Sequence, residues 1–220
     1  MKMLFSTKDG YGLRCLMAGI VFVILSVAVR FQVLDVRAFD SVTSFVVQVS
    51  LQRKLTLLFH FGTFLNHWWV IALAIVILFI LLRYQRYHLA ANFWIISLLF
   101  LVVINLFWFL LVDLSWNRGF EIEGNFPDLL LTLWLYYWLS IYHLFIRPLC
   151  HRPITYHLFH AMLILFFVFQ LLSQINQGQA QLSGALAAVL LAYTWWQIMS
   201  WLYGHFAKHW QRVLQIDGGL

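Results

Sequence analysis

The sequence predicts an all-α integral membrane protein, a bundle of six transmembrane helices forming one domain over residues 1–220. Three observations lead there. Of the 220 residues, 63% are hydrophobic and 10% charged, where soluble domains run at about 45–50% apolar and about 25% charged. The mean hydropathy is +0.84. The third observation is aromatic: eleven Trp, nine Tyr and twenty-one Phe supply the residues that gather where helices meet headgroups.

A span needs roughly 20 mainly apolar residues, and lipid offers backbone groups no partner, so each such block must be a helix. The blocks run approximately 13–34, 65–83, 90–112, 128–148, 156–174 and 182–203. The first follows Met1, Lys2, Lys8 and Arg14 and so has the outline of a signal peptide. With no small-residue cleavage site after Arg30, it reads as a retained span. Residues 35–64 contain Arg37, Arg53 and Lys54 and predict an amphipathic interfacial helix at about 40–58, its basic side chains among headgroups. Pro127, Pro148 and Pro153 fall at helix boundaries, where proline is tolerated. Asn105, inside the third span, is expected to hydrogen-bond to a neighbouring helix.

Lys and Arg in short loops set orientation. The N-terminus (Lys2, Lys8, Arg14), the second loop (Arg83, Arg86), the fourth (Arg147, Arg152) and the tail (Lys208, Arg212) are basic and predict N-in, C-in topology. The third loop is acidic, with Asp113, Glu121, Glu123 and Asp128 against Arg118, and the fifth carries no charge, so both fall outside. The net charge of +6 is then a matter of topology and anionic-lipid contact, and no soluble basic domain exists to bind nucleic acid. Cys15 in a helix and Cys150 in a loop on the inner side give no disulfide.

Chemistry-bearing motifs are sparse. Cys150, His151, His157 and His160 form CHRPITYHLFH, with His157 and His160 on one helix face. His60 and His67 are seven residues apart, and His143 lies at the opposite membrane side from His67. Without a matched set of ligands at one depth, neither a metal nor another cofactor is expected. No Gly-rich phosphate loop, GxSxG or CxxC is present, and mid-span acids that would mark a proton-coupled transporter are missing.

Three polar segments fall on the outer side: 35–64, the loop LSWNRGFEIEGNFPDL, and SQINQGQAQLSGALA at 173–187. Their order resembles the type 2 phosphatidic acid phosphatase superfamily, six-helix membrane phosphatases related to vanadium haloperoxidases. The likeness covers residues 35–203, the phosphatase-like core, between short N- and C-terminal tails. That family carries KxxxxxxRP after the third helix, PSGH opening the fourth and SRxxxxxHxxxD leading into the sixth. Here Leu111 stands at the Lys, Arg118 at the Arg and Gly119 at the Pro of the first motif. FPDLL keeps Phe126 and Pro127 but has Asp128, Leu129 and Leu130 for Ser, Gly and His. In the last motif Ser173 is kept, Gln174 replaces Arg, Ala180 the His and Gly184 the Asp.

The resemblance implies an attacking His, an Asp that orients it, a His that protonates the leaving oxygen, and cations on the phosphoryl group. Ala180 has no lone pair, Leu130 no proton and Gly184 nothing to orient with; Gln174 donates a hydrogen bond but lacks the charged fork suited to phosphate. The expectation is a pseudoenzyme with no catalytic residue. Arg118 and Gln174 are its candidate lipid-phosphate contacts, and its partners are membrane lipids or another membrane protein. Two other readings stay open: an active lipid phosphate or diphosphate phosphatase with non-standard residues, and an unrelated six-helix complex subunit or small transporter. The basic N-terminus and short loops suit a multi-pass protein of the bacterial inner membrane.

Overall fold

Long runs of Leu, Ile, Val and Phe without breakers propagate helix wherever lipid leaves no alternative. The computed structural model describes residues 11–51, 56–85, 87–112, 126–146 and 153–213. Among these the regular structure is all helix, with no strand: α1 (Tyr11–Arg30), α2 (Leu34–Val46), α3 (Thr56–Leu65), α4 (Trp68–Tyr84), α5 (His88–Val112), α6 (Leu129–Ile141), α7 (Pro153–Asn176) and α8 (Leu182–Val213). π-helical turns extend α2 over Val47–Leu51 and α6 over Tyr142–Ile146. Five helices are long and apolar enough to cross a membrane, and α3 with α4 makes a sixth, bent by 62°. The protein is a multi-pass integral membrane bundle.

α8 is the axis, with α1 along one side and α6 along another, while α3 lies on α7. Small residues let α8 approach closely. Ala185, Ala187, Ala188 and Ala192 are buried, and a Cβ on Gly19 of α1 would meet Thr194 at 3.8 Å. Polar side chains then stitch the interior. Asn105 Nδ2 donates to Thr132 Oγ1 at 3.1 Å, Trp94 Nε1 to Ser140 Oγ at 2.7 Å, and Trp195 Nε1 to the Ser97 carbonyl at 3.0 Å. In hydrocarbon such bonds join helices because no water competes for the donors.

The first span ends four residues before the expected 34, at Arg30, where Gln32 takes a left-handed φ of 53° and turns the chain into α2. Arg30 Nη1 also reaches the last carbonyl of α5, Val112 O, at 3.4 Å, a cation at a helix C-terminus. The expected interfacial helix at 40–58 starts earlier, at Leu34, and a separate α3 begins at Thr56; residues 52–55, with Arg53 and Lys54, lie outside the described residues. Its amphipathicity is inverted relative to a surface helix. Asp40, Ser44 and Val47 are buried against the bundle, while Phe39, Val42 and Phe45 are exposed.

Backbone proximity between α3 and α7 rests on Gly62. A Cβ there would collide with the Ser173 Cβ, which belongs to helix α7 and cannot swing away. Gly62→Ala should therefore lower the melting temperature in detergent, at a cost of about 1–3 kcal/mol from overpacking. Combining it with Ser173→Gly should recover part of that loss; thermal unfolding of the two variants checks both.

Candidate functional site

Several helix ends meet at one end of the bundle, among them the C-termini of α1, α5 and α7 and the N-termini of α6 and α8. Each leaves backbone groups without helical partners, and the local sequence supplies their replacements. α7 stops at Gly178, whose φ of +69° suits glycine. Gly178 N–H donates to Ile175 O and Gln179 N–H to Gln174 O, both at 3.0 Å, the paired closure of a helix ended by a left-handed glycine. This explains half of the polar stretch: SQINQGQ is a stop signal written in uncharged residues.

α6 is started by Asp128. Its Oδ1 accepts from Leu131 N–H at 2.7 Å, and Thr132 Oγ1 donates back to its carbonyl at 2.6 Å. Burial pushes its carboxyl from an ordinary 3.8 up to about 6, opposed in part by the Leu131 and Leu130 amides. α8 is started differently. Gln181 precedes Leu182 but Asp40, far away in sequence on α2, reaches across: its Oδ1 accepts from Ser183 N–H at 2.8 Å and its Oδ2 from Ser183 Oγ at 2.6 Å. A carboxylate at a helix N-terminus is favoured by the exposed amides and the dipole. Burial nonetheless raises the Asp40 pKa.

These two starts touch. Asp128 N–H donates to Gly184 O at 3.3 Å, joining the first turns of α6 and α8. Ala180 is 1% exposed and packs with Leu131, Ala185 and Ala188, flanked by Phe167 and Leu171. Pro127, Asp128 and Leu130 are buried beside them. Ser173 and Gln174 are buried on the last turns of α7. Ser173 Oγ donates to Phe59 O at 3.3 Å and accepts from Gln177 Nε2 at 3.2 Å and Asn66 Nδ2 at 3.5 Å. The structure thus gathers Pro127, Asp128, Leu130, Ser173, Gln174, Ala180 and Gly184 at one end. Leu111 stands apart on the outside of α5, 46% exposed, and Arg118, with Glu121 and Glu123, lies outside the described residues.

Chemically the gathered set is poor in reactive groups. Ala180 is sealed in aliphatic contact, Leu130 is apolar, and Asp128 spends an oxygen on the α6 amides. Among the described residues no group of three His, Cys, Asp or Glu side chains is placed to hold a metal ion. His60 and His67 share no helix, since the chain breaks between α3 and α4; His67 instead stacks on Trp69, ring centroids 6.3 Å apart.

Two residues at this end carry weight that sequence reading did not assign. Asp40 has a signal in retrospect, an acid spaced four residues from Ser44 in an otherwise apolar helix face. Gln170 also had one: it interrupts LILFFVFQLL and is fully buried. No protein-family model, curated protein or solved structure matches the chain.

Replacing Asp128 separates cap from charge. Because its folded pKa is raised, the stability it contributes is present below pH ~4 and is lost as pH climbs through about 6. Asp128→Asn keeps an acceptor for Leu131 and cannot ionise, so its stability relative to wild type should grow by about 3 kcal/mol between pH 4 and pH 7. Asp128→Ala, which cannot ionise either, should follow the same pH trend and lie about 1 kcal/mol below Asp128→Asn at every pH for want of the cap. Denaturation in detergent across that range reads both.

Proposed function

We propose that the protein is a catalytically degenerate relative of the type 2 phosphatidic acid phosphatases, which binds a lipid or docks a membrane partner at its outer end without hydrolysing phosphate. The observation that supports this reading best is the Asp128–Gly184 hydrogen bond. It joins the two segments that resemble the second and third phosphatase motifs, at the spot where the family would place its acid and its nucleophile. Ala180 is buried there under Leu131. Phosphoryl transfer through histidine needs a lone pair and a water-accessible phosphorus centre; a sealed methyl group offers neither.

By the distribution of Lys and Arg, this end faces away from the cytoplasm, and the basic N-terminus suits a bacterial inner membrane. An accessory role in a membrane complex fits the same features. α2 presents Phe39, Val42 and Phe45 outward, while Asp40 ties it to α8.

Phosphate release tests the proposal. Purified protein in vesicles containing phosphatidic acid or a prenyl diphosphate should release phosphate at the rate of empty vesicles. Turnover that Arg118→Ala abolishes would show instead a working phosphatase with non-standard residues.

A further inference from the structure

Hydrogen-bonding capacity is conspicuously left over beside the sealed motif. Gln170 is fully buried with neither Oε1 nor Nε2 partnered among the described residues, and the buried Gln174 Oε1 and Asn66 Oδ1 are unpartnered as well. A buried amide without a partner gives up its hydrogen bonds to water with nothing in return. Native interiors rarely leave three side by side without water or a ligand to complete them.

Helical spacing shows that they share a region. On α7, Phe166 packs on Trp134 with ring centroids 5.6 Å apart, Ser173 and Gln177 face α3, and Phe167 and Leu171 pack on the Leu131–Ala180 cluster. At 3.6 residues per turn, Gln170 and Gln174 fall between these faces, toward the wedge among α3, α6 and the start of α8. Asn66 joins them from the α3 side: it contacts Ser173 on α7, and its neighbour Leu65 accepts a bond from Trp134 Nε1 at 3.2 Å.

The polarity of the open atoms defines what they can take. Ser173 gives its proton to Phe59 O, so it can only accept from Asn66 Nδ2, which leaves Asn66 Oδ1 as the open atom. With Gln170 Oε1 and Gln174 Oε1 this makes three open acceptors, with Gln170 Nε2 as an open donor beside them. An ionised phosphate has acceptor oxygens only and would meet three like-polarised carbonyls. Hydroxyl groups, which donate and accept, satisfy the set. A single hydroxyl carries one proton and leaves two acceptors open. Resting on the non-hydrolytic reading above, we propose that Asn66, Gln170 and Gln174 form a binding site for an uncharged group bearing several hydroxyls, either the sugar or glycerol headgroup of a neutral lipid or a free polyol.

Native mass spectrometry in a polyoxyethylene detergent, which carries no sugar, tests this with chain-matched monoglycosyl diacylglycerol, diacylglycerol, phosphatidic acid and free methyl glucoside. Monoglycosyl diacylglycerol should be retained at least tenfold more strongly than phosphatidic acid, with diacylglycerol between them. Gln170→Leu with Gln174→Leu should abolish that preference while leaving the melting temperature unchanged or raised. The single Gln170→Met and Gln174→Met variants, closer in shape, should each weaken glycolipid retention if the double variant does not fold. Competition by methyl glucoside assigns the site to free polyols, and its failure assigns it to lipid headgroups. Equal retention of all lipids, preference for phosphatidic acid, or glycolipid retention untouched by the substitutions overturns the site and leaves trapped water as the partner of the amides. The assay reads binding alone. Phosphate release would refute the non-hydrolytic reading without touching this result, and loss of glycolipid binding would leave that reading intact.

Discussion

Helix ends in a membrane bundle carry backbone amides that lipid cannot solvate, and the arrangement of this protein follows from how two buried carboxylates answer them. Asp128 starts α6 from within its own chain segment. Asp40 starts α8 from another helix altogether, with both oxygens engaged by Ser183. Because α8 is the axis on which α1 and α6 pack, the Asp40 contact fixes more than one helix end: it places α2 with its polar stripe inward, and it sets the first turn of α8 where Gly184 can accept from Asp128. Remove the carboxylate and three elements lose their common reference point.

The helices and their order were legible in the sequence because hydrocarbon imposes one solution on an apolar run of sufficient length. Asn105 was legible for the same reason, since a lone amide in such a run must find a partner, and Thr132 provides it. The interfacial helix was only half legible. Composition located it, but its inward-facing polar stripe depends on Asp40 meeting a helix end more than a hundred residues away, and no local pattern records such a pairing. The break at Asn66 and His67 carries no proline to announce it, and Gly62 lies a full turn earlier within α3; beside the break Trp134 binds the Leu65 carbonyl.

The candidate site was legible as a set of positions and illegible as an environment. Spacing placed Asp128, Gln174, Ala180 and Gly184 in segments of related order, yet whether Ala180 lined a cleft or a core depended on Leu131 and Ala188 closing over it. Of the glutamines, Gln174 alone was matched to a motif position. In the fold Gln177 pins α7 to α3 through its side-chain amide on Thr63, Gln179 closes the helix end through its backbone N–H, and Gln174 is buried on the last turns of α7, one helical turn from Gln170. Uncharged side chains suit this helix end, because a charge at this depth would demand a counter-ion.

On this account the position matching a nucleophile is part of the packed interior. The most direct measurement is thiol labelling of Ala180→Cys in protein whose own Cys15 and Cys150 are replaced by alanine. A small water-soluble maleimide should fail to modify Cys-substituted position 180 in folded protein and modify it fully after denaturation. Rapid labelling in the folded state would reveal an open cleft there and contradict the account.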